Sequence, residues 1–159
     1  MIVERIIKKL IPVGILHKLL LAWLFIYRRE RFAATGYIFR GDEVLLIKQT
    51  YGDDAWTFPG GFIKRGERPE EGMRREVVEE VGLELVSVVP LSTTRDARPG
   101  KNVTVHRFYA RTKSKECIID PVEVKEARWF KLSELTNARV SQDPIFNKAI
   151  EFHKAYERN

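Results

Sequence analysis

Three glutamates, Glu76, Glu79 and Glu80, have the spacing of residues that do chemistry together. On a helix, residues three and four apart are neighbours, so the three carboxylates would fall on one face. Like charges at that separation destabilise a helix unless a cation lies among them. Carboxylate oxygens are hard ligands of the kind that Mg²⁺ or Mn²⁺ prefers. The spacing therefore favours a divalent-metal site over an ordinary solvated acidic surface.

The helix that would carry these glutamates has signals at both ends. Pro69 suits a first helical turn, and Glu70 and Glu71 complement the positive end of the helix dipole. Gly82 is placed to end the helix in a left-handed conformation. The pattern predicts a helix from about Pro69 to Val81. Its apolar arc would consist of Met73, Val77, Val78 and Val81.

The whole stretch 61–83 resembles the Nudix box, a fixed pattern of glycines, glutamates and one arginine. Every position of that pattern is filled, by Gly61, Glu67, Arg75, Glu76, Val77, Glu79, Glu80, Gly82 and Leu83. Seven fixed identities arise by chance about once in ten million registers, so this pattern is far more specific than a lone glycine motif. We therefore identify the chain as similar to Nudix hydrolases.

The resemblance implies hydrolysis of a diphosphate linked to another group, by attack of a metal-bound water on phosphorus. It implies that Glu76, Glu79 and Glu80 hold Mg²⁺, with Mn²⁺ as the other candidate ion. Glu76 is also the candidate general base, and Glu79 is grouped with it as catalytic. The turn at 56–61 is predicted to be a short strand running into a tight turn, and the carbonyl of Gly60 is often a further metal ligand in this family.

Two more roles follow from the resemblance. Arg75 would pair with Glu67 and hold the loop and the helix in register, which makes both of them orienting members of the catalytic set. An additional acidic ligand enters from outside the box in family members. Glu123 and Glu126 are the candidates here, and Glu123 is preferred because of its offset from Trp129. A plain surface glutamate is the alternative for either one.

Substrate contacts are less constrained by the sequence. The turn-rich stretch 95–101 carries Arg95 and Arg98, which suit phosphate groups or, equally, a basic surface turn. Phe62 and Tyr51 are further candidates for contact with a base or sugar. Residues 141–144, Ser-Gln-Asp-Pro, partly resemble a marker of NADH-hydrolysing relatives, but the positions that should follow do not match, so we assign no role to them.

Hydrophobic patterning predicts an α/β domain over residues 32–159. The predicted strands are 33–39, 43–49, 85–91, 103–110 and 127–130, and a C-terminal helix begins at 143–144 with an apolar side made of Ile145, Phe146, Ala149, Ile150, Phe152 and Tyr156. The resemblance implies the Nudix fold, a mixed β-sheet sandwiched between helices. The single cysteine, Cys117, fits a reducing, cytoplasmic compartment.

Residues 1–31 are predicted to be a separate hydrophobic and basic helical extension. They hold seven basic and two acidic residues, a net +5 of the chain's +6, which argues against a nucleic-acid-binding surface spread over the domain. The uninterrupted apolar run 19–27 is too short to span a bilayer, and no signal-peptide cleavage site follows it. Residues 15–29 therefore either lie on an anionic membrane or pack on the domain or a second subunit, and we favour packing or a homodimer.

The sequence thus leads to one function and two alternatives. The leading hypothesis is a Mg²⁺-dependent hydrolase acting on a small nucleotide, either a nucleotide sugar such as ADP-ribose or a nucleoside triphosphate. The first alternative is a non-catalytic nucleotide-binding regulatory module. The second is a hydrolase of a membrane-borne diphosphate, which only the N-terminal extension suggests.

Overall fold

The computed structural model describes residues 30–51, 54–96, 102–135, 140 and 143–158. Within these residues the elements follow in the order β1 (Arg31–Arg40), β2 (Glu43–Gln49), β3 (Gly60–Phe62), α1 (Pro69–Val81), β4 (Ser87–Asp96), β5 (Val103–Arg111), β6 (Val124–Lys131), a 3₁₀ turn (Leu132–Leu135) and α2 (Pro144–Tyr156). Residues 1–29 of the extension predicted at 1–31, and Arg98, lie outside the described residues, while Arg31 belongs to β1 and not to the extension. No helix in the described ranges is long and apolar enough to cross a bilayer.

The strands form one mixed sheet in the order β4-β5-β1-β2-β6. Strand β1 runs parallel to β5 along its length, while its other neighbours are antiparallel. At one end β1 pairs with β2 across a tight hairpin, and at the other end it pairs with the short strand β3. The strands β1 and β2 are therefore paired at one end only and separate toward the other end, where β3 lies beside β1. This arrangement brings Gly60 to the middle of the sheet, opposite Thr35.

Alternate residues of β1 belong to two hydrophobic cores on opposite faces of the sheet. Ala34 and Ile38 pack with the buried side of α1, and Tyr37 and Phe39 pack with Phe146 of α2. Period-two alternation of buried side chains on both faces is what a central strand of a layered sheet requires. The predicted α/β/α sandwich is therefore confirmed.

Helix α1 has the predicted limits, because its end signals are local. Pro69 is at the first turn, and Gly82 ends the helix with φ 65°, in the left-handed region that glycine adopts without strain. One member of the predicted apolar arc was wrong: the Val78 side chain is 52% exposed. The arc is narrower than predicted, and Glu80 is buried at its edge.

Other boundaries shifted by a few residues. Strand β4 begins at Ser87 and extends to Asp96, past the predicted end at 91, with an irregularity between Pro90 and Ser92 where proline has no N–H to donate. The short strand predicted within 56–61 lies at the end of that stretch, as β3. Before β3, Thr57 forms an isolated β-bridge with Ile47. In α2 the cap at Asp143 is present, since its side chain accepts a hydrogen bond from the N–H of Ile145 at 2.9 Å.

The apolar side predicted for α2 was partly wrong. Phe146 and Ala149 are fully buried, while Phe152 and Tyr156 are exposed large side chains. His153 takes a buried position instead, between the Tyr109 hydroxyl at 2.9 Å from Nδ1 and the Gly41 carbonyl at 2.6 Å from Nε2. A histidine with both ring nitrogens occupied by partners in the core is a packing residue.

Candidate active site

Two adjacent glycines let the carboxylates of α1 approach the backbone of β3. A Cβ on Gly60 would lie 2.1 Å from the carbonyl oxygen of Ala34, and its φ of 144° is one that other residues rarely adopt. A Cβ on Gly61 would lie 2.6 Å from the carboxylate of Glu76. Glycine at both positions is therefore needed. Gly60 lets β3 pack closely on β1, and Gly61 lets the Glu76 carboxylate pack closely on β3.

Glu80 is the most buried of the three glutamates, with 2% of its surface exposed. One of its oxygens accepts a hydrogen bond from the N–H of Gly60 at 2.8 Å. Burial, together with the nearby charges of Glu76 and Glu123, raises the pKa of Glu80 to about 7, against the opposing effect of the Gly60 hydrogen bond. Among the described residues, no cationic side chain forms an ion pair with this carboxylate.

Arg75, on the same helix, forms a second set of contacts. Its guanidinium binds Glu67 through two hydrogen bonds, Nε to Oε1 at 2.8 Å and Nη2 to Oε2 at 2.9 Å. It also donates to the carbonyl of Phe62 at 3.0 Å. The Arg75–Glu67 pair that the resemblance implies is thus present, and it ties α1 to the end of β3 and to the loop between them.

The same arginine contacts two of the candidate metal ligands. Nη1 lies 2.7 Å from an oxygen of Glu76 and 2.7 Å from an oxygen of Glu79. Glu79 is half-exposed and also faces Lys64 at 3.5 Å. Hydrogen bonds from Arg75 and from the N–H of Lys64 lower the pKa of Glu67 to about 2. The Glu67 carboxylate is therefore fully compensated, in contrast to that of Glu80.

Glu67 also explains the glycine inside α1. A Cβ on Gly72 would lie 3.0 Å from Oε2 of Glu67 and 3.3 Å from the Ile63 side chain. The loop that carries Glu67 therefore folds directly onto the helix at Gly72. Any larger residue there would push the Glu67 carboxylate away from Arg75.

The loop before β6 brings Glu123, and not Glu126, toward the glutamates. The charge of Glu123 contributes to the raised pKa of Glu80 and, after burial and the charge of Glu80, to the raised pKa of Tyr51. Glu126 instead points at Lys48, with a 3.6 Å ion pair. The backbone of Glu123 is fixed by its carbonyl, which accepts from the N–H of Thr50 at 3.0 Å.

The residues of this cluster fit a divalent cation by their chemistry. Glu76, Glu80 and Glu123 are oxygen donors of like charge; burial and the charges of the other two raise the pKa of Glu80, and a cation among them would oppose that effect. Within the described residues no three acidic, histidine or cysteine side chains converge on one point as they stand. The Arg75 contacts of Glu76 and Glu79 account for this, because they turn both carboxylates toward the guanidinium.

The predicted substrate residues are not all brought together. Arg95 lies on the edge strand β4, where Glu30 at 3.2 Å and Asn102 at 3.3 Å already bind its guanidinium. Arg98 lies outside the described residues. Phe62 is next to the site through its carbonyl, and its ring lies exposed beneath the guanidinium of Arg31, 5.1 Å away.

A cavity beside the glutamates was not predicted. It has a volume of about 320 Å³ and is lined by Gln49, Ala55, Trp56, Thr57, Phe58, Val140 and Asp143. Gln49 links it to the glutamates, because its side chain also donates a hydrogen bond to Glu80. Asp143 accepts a hydrogen bond from the Tyr37 hydroxyl at 2.8 Å. In the sequence, only the aromatic residues just before Pro59-Gly60 pointed to this cavity. The cavity could not be predicted from them, because its walls come from three separate segments of the chain.

Comparison with known proteins decides the family. A model of the NUDIX domain matches residues 29–149, which is more than half of the chain. The chain belongs to the Nudix family. Its curated relatives include the NAD-capped RNA hydrolase NudC of Escherichia coli, 32% identical over 97 residues, which are 60% of this chain and 37% of NudC. This Nudix chain therefore spans little more than a third of the curated relatives that it matches.

Solved structures agree on the fold. A NUDIX-family hydrolase from Clostridium perfringens is 25% identical and superposes with a TM-score of 0.65, over 77% of this chain and 95% of that one. The MutT NUDIX hydrolase from Burkholderia pseudomallei is 27% identical with a TM-score of 0.59, over 67% of this chain and 86% of that one. These three relatives of this Nudix protein are all named as hydrolases.

Proposed function

We propose that this protein is a metal-dependent hydrolase that cleaves the diphosphate linkage of a nucleoside diphosphate derivative by attack of water on phosphorus. The observation that carries the proposal is the cluster of Glu76, Glu80 and Glu123 near Gly60, in which burial, with the like charges of Glu76 and Glu123, raises the pKa of Glu80 to about 7. Such a cluster costs stability in a protein that has no cation for it. The relatives of this chain that are named as hydrolases support a catalytic role for it.

Glu76, Glu79, Glu80, Glu123 and the carbonyl of Gly60 would hold Mg²⁺ or Mn²⁺. When bound, the ion would lower the pKa of a water molecule and neutralise charge on the diphosphate. Glu76 is the candidate general base, because its carboxylate lies against Gly61 at the entrance to the cluster. Arg75 and Glu67 would position Glu76 and Glu79 without contacting substrate.

The cavity next to the cluster supports a nucleotide as the substrate. Trp56 offers a flat aromatic surface for a base, and Gln49 and Asp143 offer hydrogen-bonding groups beside it. A base bound there would place its diphosphate toward Glu80, since Gln49 contacts both the cavity and Glu80. The relative named as an NAD-capped RNA hydrolase favours dinucleotides among the candidates, besides ADP-ribose and nucleoside triphosphates.

The proposal is tested by hydrolysis of a substrate panel with Mg²⁺. The panel contains nucleoside triphosphates, ADP-ribose, NADH, NAD-capped RNA and prenyl diphosphates. Glu79→Gln and Glu80→Gln are the test variants, and Glu84→Gln, an exposed glutamate just beyond α1, is the matched control. Cleavage of one class by the wild type and the control, but not by the test variants, is the expected result. Cleavage that survives both test variants would overturn the assignment of the site.

The alternative of a non-catalytic nucleotide-binding module is favoured by one observation. Arg75 contacts Glu76 and Glu79 directly and so competes with a cation for two of the ligands. If that pairing persists with nucleotide present, the protein binds without cleaving. Saturable nucleotide binding together with no turnover on the whole panel would establish this alternative.

A further inference from the structure

A groove near the beginning of β1 is a second concave site of the domain. It has a volume of about 680 Å³, against about 320 Å³ for the cavity at Trp56. Both volumes lie in the range of sites that hold small molecules. The groove combines apolar and basic side chains, which are Phe32, Phe62, Ile63 and Pro69 on the one hand and Arg31, Lys64 and Arg65 on the other. A site of this size and composition suits an organic anion.

One short segment of the chain connects the cavity, the carboxylates and the groove. Trp56 and Phe58 line the cavity, and the N–H of Gly60 binds Glu80 at 2.8 Å. Two residues further on, Phe62 lines the groove. At about 3.3 Å per residue, the chain from Trp56 to Phe62 spans at most about 20 Å, with Gly60 between them. A ligand with a ring at each end and a diphosphate in the middle has a comparable length, so it would reach both sites across the carboxylates.

The groove presents flat rings to solvent. Phe32 is 43% exposed and Phe62 is 54% exposed. The Phe32 ring lies nearly parallel to that of His106, with 24° between the planes and 6.4 Å between the centres. The hydroxyl of Thr93, 3.0 Å from Nδ1, holds the His106 ring in place. Exposed rings of this kind bind nucleobases by stacking, whatever the identity of the base.

Basic groups lie around these rings. The Arg31 guanidinium is 5.1 Å from the centre of the Phe62 ring. Arg65 has no ion pair with any of the described residues. Lys64 contacts Glu79 at 3.5 Å, and so it lies where the groove meets the carboxylate cluster. Arginine and lysine side chains are the usual partners of phosphate groups in proteins.

The acidic residues of the groove do not cancel this charge. Glu30 binds Arg95 at 3.2 Å, and Glu67 binds Arg75 at 2.8 Å. Both carboxylates are therefore neutralised by arginines that are not counted among the basic residues of the groove. The groove carries a net positive charge.

The combination of rings and cations decides the class of ligand. A nucleotide sugar or a nucleoside triphosphate carries one base, and the cavity at Trp56 already offers a place for one. An acidic peptide would use the cations of the groove but not its exposed rings. A second nucleotide uses both, because its base stacks on the rings and its phosphate binds the cations.

We propose that the substrate carries a second nucleotide on the far side of the scissile diphosphate, and that the groove binds it through Phe32, Phe62, Arg31 and Arg65. This assignment rests on the proposed function, because it places the diphosphate at the carboxylate cluster. The substrate class is then a dinucleotide, either free or as the 5′ cap of an RNA.

Isothermal titration calorimetry of the full chain with two matched ligands tests the proposal. ADP-ribose and diadenosine diphosphate share one adenosine and the diphosphate, but only the latter has a second base. EDTA is present, so the dissociation constants do not depend on turnover. We expect diadenosine diphosphate to bind at least about tenfold more tightly. Equal dissociation constants, or no binding of diadenosine diphosphate, would overturn the proposal.

Removal of an exposed ring locates the second base. Phe32→Ser should weaken binding of diadenosine diphosphate by at least about fivefold, while the dissociation constant of ADP-ribose changes by less than about twofold. The matched control is Tyr156→Ser, which removes an exposed ring at the end of α2 and should leave both ligands unaffected. Unchanged binding of diadenosine diphosphate by a folded Phe32→Ser protein, or an equal loss in the control, would overturn the role of the ring.

Removal of a cation tests the phosphate contact. Arg65→Gln should weaken binding of diadenosine diphosphate by at least about threefold. Lys113→Gln is the matched control, because it removes one positive charge near Arg40, at the other end of β1 and about 30 Å away. Equal effects of the two substitutions would show that net charge alone matters and would contradict a phosphate contact at Arg65.

An NAD-capped oligoribonucleotide distinguishes the two sources of a second nucleotide. Binding no tighter than that of free NAD would identify the free dinucleotide as the ligand. Tighter binding would identify capped RNA, because the chain that follows the cap then adds contacts. Both results agree with the proposal when diadenosine diphosphate also binds more tightly than ADP-ribose.

Hydrolysis with Mg²⁺ separates the role of the groove from that of the carboxylates. Phe32→Ser should raise KM for the dinucleotide and change kcat by less than about twofold. Tighter binding of the dinucleotide without any turnover would contradict the proposed function and retain the groove as a binding site. Turnover of both ligands with equal dissociation constants would retain the proposed function and overturn the second-nucleotide site.

Discussion

Two carboxylates of the same site, Glu67 and Glu80, have opposite electrostatic environments. Glu67 is bound by two guanidinium nitrogens of Arg75 and by a backbone N–H, and its pKa is lowered to about 2. Glu80 is buried beside two other carboxylates, and its pKa is raised to about 7. The described residues compensate the first charge through Arg75 and bring no cationic side chain to the second. The difference separates a carboxylate that organises the structure from one that is available to a cation.

The largest expected difference is between the hydrolysis rates of two variants in which one of the two carboxylates is neutralised. Glu80→Gln retains an oxygen that can accept from the Gly60 N–H but removes the charge, and we expect hydrolysis to fall by more than about 100-fold. Glu67→Gln keeps one partner for Arg75, and we expect a loss of about tenfold. Steady-state rates on the best substrate of the panel measure both. Equal losses would show that the two carboxylates do not have different roles.

The pH dependence of stability separates the same two groups. Because the pKa of Glu80 rises from 4.5 to about 7 on folding, its contribution is fully present below pH 4.5 and is lost as the pH rises toward 7. The loss is on the order of 3 kcal/mol at most. Denaturant unfolding of the metal-free protein between pH 4.5 and 8 measures it. The Glu80→Gln protein should lack this decline, and Mg²⁺ should stabilise the wild type more at pH 8 than at pH 5.

Replacing Arg75 removes the compensation of the first carboxylate. Arg75→Ala leaves Glu67, Glu76 and Glu79 without their shared cation, and we expect a loss of about 2 kcal/mol in the free energy of unfolding. Arg75→Lys should recover only part of this, because an ammonium cannot bind both oxygens of Glu67 in the same planar geometry. Denaturant unfolding at pH 7 tests both. Full recovery by lysine would contradict the importance of the paired hydrogen bonds.

The smallest contrast concerns the loop before β6. Glu123→Gln removes a charge that reaches Glu80, and hydrolysis should fall by about tenfold. Glu126→Gln removes a charge that faces Lys48 on the surface, and the rate should change by less than about twofold. The two variants differ by three positions and are otherwise matched. A larger effect at Glu126 would place the additional acidic ligand there.

Local signals made the helix and its glycine turn predictable. Pro69 and Gly82 determine the limits of α1 through their own backbone preferences, and the box spacing predicts which carboxylates come together. The position of Val78 was not predictable in the same way, because the width of the buried arc depends on what packs against it. Strand β4 was displaced because its pairing with β5, and not its own pattern, sets its limits.

The sequence predicted which carboxylates would lie near one another better than it predicted their surroundings. The choice between Glu123 and Glu126 needed the register of β6 against β2, which places Glu126 beside Lys48. The cavity at Trp56 joins residues almost a hundred positions apart, so no local pattern marks it. Asp143, in the partial match at 141–144, is an example: it caps α2 and lines that cavity. The residues that follow it do not fit the marker, so the motif did not identify the cavity.

Mn²⁺ binding to the metal-free protein, followed by electron paramagnetic resonance, tests the central claim most directly. The account predicts that the wild type binds Mn²⁺, that Glu80→Gln loses most of this binding, and that Glu67→Gln keeps it, because Glu80 belongs to the cluster and Glu67, paired with Arg75, does not. Undiminished binding in Glu80→Gln, or no binding in the wild type, would contradict the claim that these carboxylates are held together for a divalent cation.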